Sequence, residues 1–256
     1  MFIQPNRLKQ KLKAGQPVYG VISTSDDPQL AELFGLAGFD YYLLDAEHGL
    51  IDPAQAVNVI RACERVNLTP LVRLGPKDPK LVLLYLDAGM MGVMMPDLRA
   101  AVEIEMLIAA VKYPPFGKRG VGISRASAYM ARSGEAPHYL AFANENTLVI
   151  PQFEDPSLLN NFEEMISRPG VDAVMIGPRD LSLNMGFPDG PEHPEVQMMI
   201  DRVIAICRQA GVAAGITAAT CADAERQVTR GATMILGVAQ LLILHSARAF
   251  LPGIAA

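Results

Sequence analysis

The chain has 256 residues, half of them hydrophobic, and a net charge of −5, with a pI near 5.4. That apolar content can fill a large core, and the acidic balance excludes the basic footprint of a nucleic-acid-binding protein. No stretch approaches the roughly 20 apolar residues of a membrane span, the opening MFIQPNRLKQKLKAG lacks a signal-peptide core, and three scattered cysteines read as reduced thiols of a cytoplasmic protein.

Short apolar runs alternate with helical patterns along the chain. A strand is expected at 18–22, followed by a helix over 28–37 with Asp27 as its N-cap. YYLLD, at 41–45, is apolar on successive positions, the pattern of a parallel strand buried on both faces. Asp52-Pro53 opens a helix over 53–65, a cap followed by proline at the first helical position. After a strand at 70–73, Asp78-Pro79 repeats the device for a helix over 79–88. A strand at 92–95 leads to a helix over 99–112. The Gly/Pro/Ser-rich stretch 111–146 then reads as a long connection, and such connections inside compact domains are usually functional. Strands at 148–153, 172–176, 213–216 and 233–236 alternate with helices over 156–167, 194–209, 219–230 and 239–250. Gly38, Gly89, Gly211 and Gly231 stand just past helix ends, where a left-handed C-cap is wanted.

Eight strands, each followed by a helix, predict one α/β domain over 1–256, a (β/α)8 TIM barrel. An open doubly wound sheet is the rival. Its dinucleotide-binding version is disfavoured, because YGVISTSDDP stands where Gly-x-Gly-x-x-Gly belongs.

In a TIM barrel, chemistry sits at the C-terminal ends of the strands. Those ends carry Asp45, Glu47 and His48; Arg73; Pro96 and Asp97; Gln152 and Glu154; Gly177, Pro178, Arg179 and Asp180; and Thr217. Charged groups at the end of an apolar strand must be paired, hydrated or metal-bound. Glu154 and Asp180 follow adjacent strands. They are either two ligands of a hard cation or two helix N-caps. His48 is either an acid–base oriented by Asp45 or Glu47 or a hydrogen-bonded loop residue. Arg73 either binds a substrate carboxylate or pairs with Asp45 or Glu47, and the two roles are compatible. None of the lysines, Lys9, Lys11, Lys13, Lys77, Lys80, Lys112 and Lys118, falls in an expected strand. That argues against imine chemistry on a buried amine.

AGFDYYLLDAEHG, PLVRLG, DAGMMGVMMP, YPPFGKRGVG, PQFE, GVDAVMIGPRDLSLNMG and HPEV occur in this order. On these motifs the chain resembles the HpcH/HpaI aldolases, the metal-dependent class II enzymes acting on pyruvate. The resemblance implies a divalent cation (Mg²⁺, Mn²⁺ or Co²⁺) on Glu154 and Asp180, and a 2-oxo acid and an aldehyde as small-molecule substrates. It implies that Arg73 holds the enolate oxygen and that His48, paired with Asp45, acts through a water. Gln152 and Glu47 would order the site, and backbone N–H groups around 178–180 would bind the substrate carboxylate, Pro178 itself having none. It also implies a homo-oligomer, a hexamer or trimer of dimers, in which Phe116 and the loop 123–131 reach a neighbouring site with Arg125 nearest the substrate. Two positions depart from the family. Arg179 stands where a small residue is usual, and Gly237-Val238-Ala239-Gln240 lacks the usual acid. The departures keep open an oxaloacetate decarboxylase or a citrate-forming enzyme of the same superfamily. A barrel that only binds a metabolite would show a damaged catalytic set, whereas Asp45, His48, Arg73, Glu154 and Asp180 are all present.

Overall fold

Strands that are apolar on successive residues must be covered on both faces, and closing the sheet on itself does this. In the computed structural model, which describes residues 4–131 and 136–252, eight parallel strands close in chain order. They are β1 (Val18–Ser23), β2 (Tyr41–Asp45), β3 (Thr69–Arg73), β4 (Gly92–Met95), β5 (Leu148–Phe153), β6 (Ala173–Ile176), β7 (Ala213–Thr217) and β8 (Met234–Val238). β8 pairs with β1, Leu236 lying opposite Gly20. The open-sheet rival is thereby excluded.

Side-chain alternation divides the core in two. Tyr41, Leu43, Leu71, Met94, Ile150, Met175 and Leu236 fill the barrel interior. Tyr42, Leu44, Val72, Val93 and Phe153 face outward against the helices. The interior has to make room for Tyr41, whose hydroxyl donates to the Ile235 carbonyl at 2.8 Å. Gly20 provides that room, since a Cβ there would lie 2.4 Å from the Tyr41 ring.

The helices are α1 (Arg7–Lys13), α2 (Pro28–Leu36), α3 (Pro53–Arg65), α4 (Pro79–Ala88), α5 (Ala101–Val111), α6 (Ala136–Asn146), α7 (Phe162–Ile166), α8 (Pro178–Asn184), α9 (Pro194–Gln209), α10 (Cys221–Arg230) and α11 (Ala239–Phe250). Asp27, Asp52 and Asp78 cap α2, α3 and α4 as expected. The four glycines expected at helix ends all have positive φ, between 68° and 120°.

Four features were not anticipated. α1 precedes the barrel and pushes Leu8 and Leu12 into its lower end. The stretch 111–146, expected to be a connection throughout, contains α6. The expected helix over 156–167 begins as a 3-10 turn, Pro156–Asn161, before α7. A short helix, α8, follows β6 directly. Among the described residues no helix is long and apolar enough to cross a membrane.

Candidate active site

The barrel register sets the site. Asp45 and Arg73 end neighbouring strands as direct partners. The Arg73 guanidinium therefore meets the Asp45 carboxylate side by side, with Nε at 2.9 Å from Oδ1 and Nη2 at 2.7 Å from Oδ2. Nε also lies 3.2 Å from Glu47 Oε2. Asp45 is buried, and its Oδ1 also accepts the backbone N–H groups of Glu47 (3.2 Å) and His48 (3.4 Å).

The expected pairing of the His48 ring with Asp45 is thus not formed. Asp45 spends its oxygens on Arg73 and on the backbone of the loop that carries His48. The ring instead has Nε2 at 3.8 Å from Glu47 Oε2, with its side chain 66% exposed. Glu47 itself is pushed above the usual carboxylate range by burial. Arg73 and His48 pull it back, and Asp45 and Asp180 push it further up.

β5 and β6 build the other half. Gln152 and Glu154 are both buried. Gln152 Nε2 donates to Glu154 Oε2, and the Asp97 N–H donates to Oε1 at 2.5 Å. Asn184 Nδ2 donates to the Glu154 carbonyl at 2.7 Å. Gly177 makes the arrangement possible, because a Cβ there would lie 2.8 Å from Gln152 Nε2 and 2.9 Å from Glu154 Oε2. Asp180, in the first turn of α8, has no hydrogen-bond or ion-pair partner for its carboxylate among the described residues. The helix-cap alternative fails for both acids. Asp155, not Glu154, caps the 3-10 turn, and Gly177 occupies the cap position of α8.

The electrostatics of this half call for a cation. Burial pushes the Glu154 carboxyl up, the donors from Asp97 and Gln152 pull it down, and the charges of Asp180 and Glu47 raise it again. Arg73 is already engaged by Asp45 and Glu47. Gln152 Oε1 is buried without a hydrogen-bond partner. The buried Glu154 carboxylate, the exposed Asp180 carboxylate and a free amide oxygen suit Mg²⁺ or Mn²⁺, which bind through few carboxylates and keep places for water and substrate oxygens. Among the described residues no set of three or more His, Cys, Asp or Glu side chains forms a complete metal cage.

One expected site residue lies elsewhere. Arg125 is at the opposite end of the barrel, where it binds Glu64 (Nη1 to Oε1, 3.0 Å) and the Ala88 carbonyl at 3.2 Å. Within one chain it does not approach the mouth. Arg179 is at the mouth, exposed, with no ion pair among the described residues, and its Nη1 lies against Gly190. Asp97 and Gly177 were placed at strand ends from sequence but given no role, and Asn184 was not singled out. Their contributions come from a backbone N–H, an absent side chain and a residue one helix away, none of which leaves a motif.

A TIM barrel with acids and an arginine gathered at the C-terminal ends of its strands has the arrangement of a barrel enzyme. The sequence profile of the HpcH/HpaI aldolase/citrate lyase family matches residues 19–245, and the chain belongs to that family. It is 37% identical to the 4-hydroxy-2-oxo-heptane-1,7-dioate aldolase of Salmonella typhimurium, over 95% of this chain and 92% of that one. A family aldolase/citrate lyase structure from Burkholderia cenocepacia J2315 superposes with a TM-score of 0.89 at 32% identity, covering 95% of this chain and 97% of the other. An HpcH/HpaI aldolase structure from Desulfitobacterium hafniense DCB-2 gives 0.87 at 29% identity, covering 97% and 99%. The chain is accordingly a carbon–carbon lyase of the aldolase type.

Proposed function

We propose that the enzyme cleaves and forms 4-hydroxy-2-oxo acids through a pyruvate enolate, with a divalent cation on Glu154 and Asp180. The observation that carries this reading is the pair of unneutralised carboxylates beside Arg73, in a barrel whose strands contain no lysine. When bound, the cation supplies an electrophile for the keto and carboxylate oxygens of a 2-oxo acid.

The chain's own residues do the rest. Arg73, fixed by Asp45 and Glu47, stabilises the negative oxygen that develops as the carbon–carbon bond breaks. His48, exposed at the rim and close to Glu47, takes the aldol hydroxyl proton through a water in cleavage and returns it in synthesis. Gln152 orders Glu154. The N–H groups of Arg179 and Asp180, free in the first turn of α8, face the substrate carboxylate. Arg179, which has no ionic partner among the described residues, binds a carboxylate on the acceptor aldehyde. Contact between Arg125 and substrate requires a second copy of the chain, in a homo-oligomer such as a hexamer or trimer of dimers. Phe116, Ile123 and Tyr129, each more than 60% exposed, suit burial in such an assembly.

The experiment is an aldol-cleavage assay with and without chelator. Chelation should abolish pyruvate release, and Mg²⁺, Mn²⁺ or Co²⁺ should restore it. Borohydride with pyruvate should leave the enzyme active. A borohydride-trapped pyruvyl-lysine, or full activity in chelator, would overturn the reading.

A further inference from the structure

Asp97 lies two residues beyond β4 with φ at 51°. Left-handed backbone crowds the Cβ of most residues, and aspartate, asparagine and glycine tolerate it best. The turn aims the Asp97 N–H at Glu154 Oε1, 2.5 Å away. With Gln152 on Oε2, both oxygens of Glu154 are gripped from within the protein. Each oxygen keeps a lone pair for another partner.

Loops after three successive strands hold Asp97 in this conformation. Lys77, between β3 and α4, donates to the Asp97 carbonyl and to Glu103 Oε1, the latter at 2.6 Å. Arg99 places Nε 2.8 Å and Nη2 2.7 Å from Asp97 Oδ1. Its Nη1 reaches Asp155 Oδ2 at 2.7 Å, on the residue next to Glu154. Glu103 closes the ring by accepting the backbone N–H groups of Arg99 (2.5 Å) and Ala100 (3.1 Å). The side chains of Asp97 and Arg99 are more than half exposed. Exposed ion pairs contribute little to folding stability, yet these converge on the carbonyl and carboxylate of one residue, Asp97, held in a sparsely populated conformation, a pattern found at functional sites.

We propose that Asp97, clamped by Arg99 and Lys77, is a positioning residue for the cation site: its left-handed turn holds the Glu154 carboxylate in its ligating orientation. The inference rests on the assignment of Glu154 and Asp180 as ligands. Asp97 and Arg99 need not touch the cation.

Calorimetric titration of the metal-free, full-length enzyme with Mn²⁺ tests it. Asp97→Val, whose β-branched side chain resists the left-handed region, and Arg99→Ala should each weaken Mn²⁺ binding about 10-fold, the lower end of what residues orienting a ligand contribute. Asp97→Asn, which accepts the turn and keeps a side-chain oxygen for Arg99, should stay within about two-fold of wild type. Arg99→Ala changes an exposed rim side chain and should melt like the wild type, so a loss there reports positioning and not unfolding. Wild-type affinity in both Asp97→Val and Arg99→Ala would overturn the inference, as would Asp97→Asn binding as weakly as Asp97→Val. Absence of Mn²⁺ binding in the wild type, or wild-type affinity in Glu154→Gln, would instead remove the cation site itself, and the inference with it.

Discussion

The two ends of the barrel both gather charged side chains, and they treat them in opposite ways. At the N-terminal end, Lys9 pairs with Asp172 at 2.7 Å and donates to the Thr147 carbonyl at 3.2 Å. Lys112 donates to the carbonyls of Asn144 (2.9 Å) and Thr147 (2.5 Å). Asn6 ties in through the Asn146 carbonyl at 2.8 Å. Both lysines are buried, and their donors end on acceptors within the chain. At the C-terminal end, Asp180 and Gln152 Oε1 have no partner among the described residues, Glu47 and Glu154 are shifted upward, and the His48 ring stands in solvent. A closed polar cluster stabilises a fold, whereas an open one is completed by something that binds.

The largest effect comes from exchanging the logic of the two ends. Glu154→Gln should lower kcat/KM by roughly 10²–10⁴-fold, the several kcal/mol that a Lewis acid supplies, while the metal-free protein melts no lower than wild type. Asp172→Asn should do the reverse. Removing one partner of a buried pair destabilises by about 3–5 kcal/mol, yet the folded enzyme should keep its kcat. Paired denaturation and kinetic measurements check both. A strongly destabilised Glu154→Gln, or a catalytically impaired but stable Asp172→Asn, would break the comparison.

A smaller effect is expected at the rim. Arg179→Ala should reduce kcat/KM for carboxylate-bearing aldehydes by roughly 10–150-fold, the worth of a hydrogen bond to a charged group, and leave neutral aldehydes and Mn²⁺ affinity unchanged. Equal losses for both aldehyde classes would take Arg179 out of the acceptor site.

The smallest effect sharpens the other end. Burial lowers the Lys112 ammonium from 10.5 to about 8, against the attraction of Asp172. Below pH 8 the folded and unfolded chains both hold the proton, and burying the charge opposes folding in full. Between about pH 8 and 10.5 the unfolded chain binds more protons than the folded one, so this group's contribution to stability rises with pH, by at most about 1.4 kcal/mol per pH unit. The unfolding free energy of the wild type should therefore gain on that of Lys112→Met between pH 8 and 10. Parallel pH profiles for the two proteins would contradict this.

Much of the fold and half of the site were legible in the residue order. Strand positions came from runs such as YYLLD, and helix starts from Asp-Pro pairs whose capping chemistry acts within a few residues. α8 was missed because Gly-Pro opens it with no side-chain cap, and α6 because its amphipathic signal is weak within a loop-like composition. Glu154, Asp180, Asp45 and Arg73 were legible because an acid or arginine at the end of a buried strand is costly and so stands out.

What the chain order determined by itself was therefore local: periodicity, caps, turns, and which charged residues end strands. Only the closed barrel decided how those ends combine. Its register gave Asp45 to Arg73 instead of to the His48 ring, sent Arg125 to the far end, and left Gly177 as the gap that admits Gln152 and Glu154. It also brought a backbone N–H from the loop after β4 onto a carboxylate after β5. Such pairings join groups 28 and 57 positions apart. Their partners are set by strand geometry and by the competition for each oxygen's lone pairs, neither of which is written in the identity of any single residue.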